Sequence, residues 1–377
     1  MAKSITPNQI KQNNRSLIYH YIYKKRKTSQ QEISYELHLS RPTVTANLAD
    51  METDGLIKKN GLIDTEYVGR KAAAYSIVPD YRISIGVEIL KNEIKMIAVS
   101  LYGEKLGRAT FDIAFERKEP YFETVCKKLL KFKSTLGIRD EQVLGIGFAI
   151  QGLATPDGQT ILYGKILSCT GLHISEFSCH LPYPCTFIHD ADSAALSELW
   201  VSPELSDGFY LSLSRHLGAA IISKRIILSG KHGHNSTIEH IQMRSGGTKC
   251  YCGRHGCMET LLSLESLLKE NETLDDFFQN VRSGDSSASN RWNCFLADLA
   301  EAVNMLHLIH DTNFILGGYI AQYLCADDLD FLYERIQQLT PFTEPHDFLL
   351  ISKMPQHSIT IGAALPYIQA FLSKPDI

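Results

Sequence analysis

Between residues 249 and 257 the chain reads KCYCGRHGC: three cysteines within eight residues, with two glycines, an arginine and a histidine among them. Thiols at this density can ligate a metal, exchange disulfides, or simply pack as small hydrophobes. Spacing favours the first. Cys250 and Cys252 are separated by one residue, Cys257 follows after four more, and Gly253 and Gly256 free the backbone to turn back on itself. The redox alternative is poorer because the chain has no Cys-x-x-Cys pair. A closed zinc site needs a fourth nitrogen or sulfur ligand, and His232, His234, His240 and His255 are all near enough in sequence to supply it. The nine cysteines, an odd number widely scattered, fit thiols or metal ligands in a reducing cytoplasm better than disulfides.

The elements around such a loop must come from a chain of 377 residues, 44% hydrophobic and 21% charged, long enough for two or three domains. No apolar run approaches the roughly 20 residues that span a bilayer. The N-terminal segment has polar residues where a signal peptide would need an apolar core, so a cytoplasmic protein without membrane partners is expected. The net charge of −4 hides an asymmetry. Residues 1–80 hold 12 Lys+Arg against 8 Asp+Glu, and the rest holds 26 against 34. A basic front on an acidic body implies that only the front meets a polyanion.

In that front, Leu17, Ile18, Tyr21 and Ile22 recur at helical spacing, and a second helix is expected from near Ser29 through Ile33 and Leu37. In the run RPTVTANLADMETDGLI, Ser40 can cap a third helix and Pro42 suits its first turn. Val44, Leu48 and Met51 would form its buried stripe, with Arg41, Thr43, Thr45, Ala46 and Asn47 on the exposed face. Two β-prone runs follow, LIKKNGLID and AAAYSIV. Three short helices and a β-hairpin describe a winged helix-turn-helix, whose third helix reads base edges in the major groove of double-stranded DNA. Gly69, Arg70 and Lys71 would sit at the wing, against phosphate or a minor groove. One such module makes few contacts, so a homodimer on paired half-sites is expected.

The body repeats one pattern. ISIGVEILKNEIKMIAVSLYGEKL and FYLSLSRHLGAAIISKRIILSG each read as strand, turn, strand. VLGIGFAIQGLA and NFILGGYI read as single strands entering glycine turns. CTFIHDADSAALSELW is a strand then a helix with Asp190 at the junction, and TIGAALPYIQAFL is a terminal helix. Such β-hairpins followed by β-α units imply an α/β body with two similar halves.

Three segments give the chain a resemblance to the ROK family (repressors, open reading frames and kinases), in its repressor branch of xylose and N-acetylglucosamine regulators. SRPTVTANLADMETDGLI with the later GRK resembles the family's DNA-binding module. HDADSAAL resembles its Asn-Asp-Ala-Asn-Ala-Ala segment. EHIQMRSGGTKCYCGRHGCME resembles its signature of a histidine, nine residues, Cys-x-Cys and a further Cys. The resemblance implies a winged helix-turn-helix over 1–79 and an actin/hexokinase-like, ribonuclease H-like sugar-kinase fold. Its first lobe would span 80–188, with a C-terminal helix over 361–377 packing back on it. The second lobe, 189–360, would carry the zinc loop and a surface for a dimer or dimer of dimers. It also selects His240 to join Cys250, Cys252 and Cys257 around a structural Zn2+.

Against the family pattern, the phosphate-binding loops are altered. Where the family has Asp-x-Gly-Gly-Thr this chain has Glu88, Leu90, Lys91 and Asn92. Where it has Gly-Thr-Gly-x-Gly this chain has Ser214, Arg215, His216, Leu217 and Gly218, and Gln151-Gly152 replaces its Pro-Gly. Backbone cradles for ATP phosphates need glycine and small hydroxyl residues, so neither ATP nor kinase activity is expected. Asp190 matches the family's catalytic base and is expected instead to contact a sugar or sugar-phosphate effector. Glu239, His240 and Glu259 complete the expected ligand site. Thr237 stands where a sugar-binding glutamate would be, and His189 and Asp192 replace two asparagines around Asp190. The expected function is a DNA-binding regulator, a repressor of carbohydrate genes. The rivals are an active sugar kinase with a DNA-binding arm and a ligand-independent dimeric DNA-binding protein.

Overall fold

The structure, a computed structural model, describes residues 6–63 and 71–373. The N-terminal module runs α1 (Pro7–Lys25), β1 (Thr28–Ser29), α2 (Gln30–Glu36), α3 (Arg41–Thr53), β2 (Ile57–Ile63) and β3 (Ala72–Ile77). Side chains cap its helices as the sequence allows. Ser29 Oγ accepts from Glu32 N and Ser40 Oγ from Thr43 N, satisfying donors that a helix start leaves orphaned. The strands form a three-stranded sheet in the order β1-β3-β2. Two expectations need correcting. Leu17 is 53% exposed, and Tyr19 is buried beside Ile18 and Ile22. Asn47, expected on the DNA-facing surface, is 3% exposed. It falls on the stripe Val44, Asn47, Leu48, Met51, at helical spacings of three and four, and its Nδ2 donates back to Thr43 O at 2.8 Å.

The body contains two sheets of one design. The first half runs β4 (Ile83–Ile89), β5 (Ile94–Val99), β6 (Lys105–Phe111), α4 (Glu119–Thr135), β7 (Val143–Ile150), the small hairpin β8 (Leu153–Ala154) and β9 (Ile161–Tyr163), α5 (Ser175–Ser178) and β10 (Cys185–His189). The second runs α6 (Asp190–Val201), β11 (Gly208–Leu213), β12 (Leu217–Ser223), β13 (Ile226–Ile227), α7 (Glu259–Leu262), α8 (Leu264–Leu267), α9 (Leu274–Arg282), α10 (Ser286–His307), β14 (Phe314–Gly317), α11 (Ala326–Leu339), β15 (Leu349–Ile351) and α12 (Ser358–Leu372). The sheet orders are β10-β7-β4-β5-β6 and β13-β12-β11-β14-β15. In each, an antiparallel three-strand meander is extended by two parallel strands. The duplication read from the two strand-turn-strand runs is therefore present, on an actin/hexokinase-like fold.

Helix α12 starts three residues before the expected position and is the hub of the molecule. It packs on β4, β7 and β5, and alongside α6. Its Ile361, Ala364, Leu365, Ile368 and Phe371 share one hydrophobic cluster with Ile97 and Val99 of β5 and with Ile18, Tyr19, Ile22, Val44 and Met51 of the N-terminal module. His20 Nε2 also meets Leu372 O. The N-terminal module is thus continuous in packing with the body. Ile368→Ala, at a fully buried position, is expected to cost about 2–5 kcal/mol and to lower the urea midpoint seen by fluorescence and circular dichroism alike. An unchanged midpoint would contradict the shared core.

Candidate functional site: a cysteine knot beside the interlobe cleft

The knot begins with the short 3-10 turn Ile238–His240 and returns through the Cys250–Cys257 loop. Backbone bonds fix the return: Cys250 N donates to Arg254 O at 2.7 Å, Gly256 N to Thr248 O at 2.9 Å, and Met258 N to Ile241 O at 2.8 Å. Gly256 has φ +68°, and a Cβ there would lie 1.7 Å from Arg244 O, so no other residue fits. Arg244 in turn clamps the loop to α10 through Asp298 (2.6 Å) and Glu301 (2.5 Å).

One donor atom from each of His240, Cys250, Cys252 and Cys257 lies within 4.8 Å of the others. Cys252 Sγ and Cys257 Sγ are 3.8 Å apart, as are Cys250 Sγ and His240 Nδ1. A zinc–sulfur bond of about 2.3 Å puts tetrahedral sulfurs about 3.8 Å apart, so the donor set fits Zn2+. His232, His234 and His255 are not in the group. The other ring nitrogen of His240 is buried without a hydrogen bond, 3.7 Å from Glu239 Oε1, where a ligand histidine's outer partner belongs. Four protein ligands would leave a bound ion no open position, so it would brace the loop and not react.

The brace borders a cleft between the lobes. Tyr251, between the first two cysteines, packs edge-on to His240 at 5.1 Å and to His216 at 5.7 Å. It lines the cleft with Glu239, Asp190, His189, His216 and Lys165. Asp190 sits at the N-terminus of α6, its Oδ1 accepting from Ala191 N at 2.8 Å and lying 3.2 Å from His189 Nε2. Burial works against charge on His189, yet Asp192, Asp190 and Glu239 win and raise its pKa to about 9. Burial raises Glu239 to about 7. Glu259 lies behind the cleft wall, where Oε1 accepts from His216 Nδ1 at 2.7 Å and Oε2 from Leu217 N at 2.8 Å. It is placed to hold the 214–218 loop. The free volume of the cleft is about 30 Å³, far below the roughly 300–1,000 Å³ of ligand pockets; a sugar would enter only if the lobes part.

Asp190 also borders a second cavity, with Glu88, Leu90, Gln151, Arg215 and Tyr319, on the side where the altered phosphate loops meet. Its free volume is about 10 Å³, no more than one water needs. Glu88 is buried, accepting from Tyr319 OH at 3.0 Å and Thr360 Oγ1 at 2.8 Å, and Lys95 Nζ donates to the same Tyr319 oxygen at 3.0 Å. Burial raises the Glu88 pKa despite those contacts. Tyr319 and Tyr251 were not among the sequence candidates. The signal for Tyr319 was its place directly after Gly317-Gly318; Gly318 has φ +81°, and a Cβ there would sit 2.6 Å from Leu213 O.

In the N-terminal module, Arg41 and Thr45 are exposed on α3 and Thr43 is half-buried. Gln30 Nε2 donates to Thr45 Oγ1 at 2.6 Å. Acidic groups cluster at the other end of α3, where Lys11 pairs with Asp50, Arg15 with Asp54 and Lys59 with Glu52. Those acids are each matched by a base, so the charge that α3 offers at its N-terminus, the end that meets base edges in such modules, is exposed Arg41 together with the positive end of the helix dipole. Lys71, directly before β3, is exposed; Gly69 and Arg70 lie outside the described residues.

A winged helix-turn-helix packed on a duplicated actin-like body, with a histidine–cysteine knot beside the cleft, defines the class. Residues 84–369 match the ROK family and residues 12–58 the winged helix-turn-helix DNA-binding family. The chain belongs to the ROK family. It is 24% identical over 396 residues to the putative xylose repressor of Caldicellulosiruptor sp. strain Rt8B.4, covering 97% of this chain and 98% of that one. A crystal structure of a ROK family transcriptional regulator, a homologue of the E. coli MLC protein, superposes with TM-score 0.73 at 21% identity over 97% of both chains. A ROK family glucokinase from Streptomyces griseus, solved with glucose and AMPPNP, superposes at 0.65 and 20% identity over 76% of this chain and 99% of that one. The fold therefore hosts both regulators and kinases.

If the knot holds Zn2+, Cys252→Ser should lose one zinc equivalent per chain by elemental analysis; a parent chain without zinc, or a variant that keeps full zinc, would contradict the assignment. The pH dependence has a definite sign. The folded state holds the His189 proton more tightly than the unfolded chain, so its contribution is complete below about 6.5, the ordinary histidine value, and is lost as pH rises through about 9. The melting temperature should fall less between pH 7 and 9.5 in His189→Asn than in the parent; parallel curves would contradict this.

Proposed function

We propose that the chain is a transcriptional regulator, a repressor of carbohydrate genes, which binds operator DNA through α3 and the wing. Its kinase-like body senses a sugar or sugar phosphate. The observation that carries this reading is the pairing of two features around Asp190. Both sides are closed, the sugar-side cleft to about 30 Å³ and the nucleotide side to about 10 Å³. What separates them is that Leu90 and Arg215 stand where the phosphate loops would be and Tyr319 ties the lobes there to Glu88 at 3.0 Å, while the sugar side is lined by His189, Asp190, Glu239 and Lys165. In this reading Asp190 and Glu239 accept hydrogen bonds from sugar hydroxyls, and His240, Cys250, Cys252 and Cys257 hold a structural zinc that fixes Tyr251 and Glu239. Arg41, Thr43, Thr45, Arg70 and Lys71 face DNA, with Asn47 orienting α3 from inside. The protein works as a cytoplasmic homodimer, or dimer of dimers, on paired half-sites. Among the described residues no helix is long and apolar enough to cross a membrane. The names of the relatives support the regulator over the kinase.

Ligand would alter operator affinity only by binding the DNA-competent and incompetent arrangements unequally. The shared core of α1, β5 and α12 is the route by which lobe opening would reach α3. Two measurements test the assignment. Arg41→Ala should weaken operator binding at fixed salt by roughly 5–150-fold, the equivalent of about 1–3 kcal/mol for one specific base contact; unchanged affinity would remove α3 from the interface. A coupled assay for ADP release across a sugar panel should show no sugar-dependent turnover, and robust turnover would favour the kinase.

A further inference from the structure

The first lobe carries a second group of metal-ligating side chains, remote in sequence from the knot. Donor atoms of Glu119, Cys179 and His180 lie within 4.8 Å of one another. Glu119 opens α4, and Cys179 and His180 directly follow α5. The two helices are locked together by Phe122 and Phe177, edge-to-face at 4.9 Å, and by Cys126 Sγ against Phe177 O at 3.5 Å. The three donors are thus carried by backbone that cannot drift apart.

The geometry within the group is unusual. His180 Nε2 is 2.9 Å from Glu119 Oε1, an ion-pair distance, yet that nitrogen is buried and has no aligned hydrogen-bond partner. The two atoms are close but out of line for N–H···O, and alignment decides whether a hydrogen bond exists. As the side chains stand, His180 and Glu119 are at ion-pair distance and Cys179 Sγ reaches Glu176 O at 3.8 Å, so a cation entering the group would replace both contacts. Glu123, one turn further along α4, adds negative potential, although Lys127 holds it at 2.7 Å.

We infer that Glu119, Cys179 and His180 form a second site, for one exchangeable divalent cation of the zinc class. Nitrogen, sulfur and carboxylate oxygen suit zinc and cobalt and disfavour magnesium or calcium. Three protein ligands leave a fourth position to water, unlike the closed knot. Cys179 and Glu119 are exposed, so they rotate to close on the ion and the site is weaker than the knot. Binding forms a metal–sulfur bond and releases the thiol proton to solvent.

The test uses the full chain with one zinc equivalent preloaded, titrated with Co2+ while the thiolate-to-cobalt charge-transfer absorbance is followed. The parent should develop this band with one further equivalent. Cys179→Ser should abolish it, and His180→Ala should weaken cobalt binding by at least the roughly 10–100-fold that losing even an outer partner of a ligand costs. No band in the parent overturns the assignment. So does a band of equal strength in Cys179→Ser, which would come from cobalt entering the knot.

Discussion

Helix α12 approaches the first sheet so closely that at two positions only glycine fits beneath it. A Cβ on Gly86 of β4 would lie 1.7 Å from Thr360 O, and one on Gly147 of β7 would lie 1.8 Å from Ala363 O. Gly362 does the same toward α6, where a Cβ would sit 1.7 Å from Ser193 O. Backbone-to-backbone contact of this kind leaves no side chain to yield, so α12, α6 and the first sheet can move only as units. Everything else hangs on that arrangement. Asp190 starts α6, Thr360 of α12 holds Glu88, and the far end of α12 carries the DNA-binding module. Under the proposed reading, Asp190 and the element that would meet DNA are carried on this one packed unit, which gives a change at Asp190 a continuous path to α3.

The cleft itself divides at Asp190. On one side, the knot presents Tyr251 and Glu239, and Glu259 sets the neighbouring loop through His216. On the other, Tyr319 of the second lobe reaches Glu88 and Lys95 of the first, joining the lobes where a kinase would admit a nucleotide. Under the proposed reading this is how one fold loses phosphoryl transfer and keeps recognition. The brace is needed for the second task, and the phosphate loops only for the first.

Much of this was legible in the sequence, for physical reasons that differ by element. Ser40, Pro42 and the stripe of Val44, Leu48 and Met51 announce α3 because capping and periodicity are local. The two strand-turn-strand runs announce the duplicated halves for the same reason. The His240–Cys257 spacing is readable because four donors able to hold one metal must return to a single point, which the spacing of the three cysteines already suggests. Inward or outward direction was less accessible. Asn47 is polar but lies at i+3 from Val44, and packing overrode the polarity. Tyr319, Glu88 and Thr360 meet across separations of 231 and 272 residues, which no spacing rule reaches. Glu259 was visible as a candidate, but not its choice of His216 over the cleft.

Coupling of the cleft to the DNA-binding module is read by titrating the full chain onto DNA from its own upstream region at one fixed salt concentration, with and without a panel of sugars and sugar phosphates. A ligand that raises the melting temperature should also change operator affinity by about 5–150-fold, the usual span of coupling between two sites. A sugar that binds the body and leaves DNA affinity untouched would contradict that coupling.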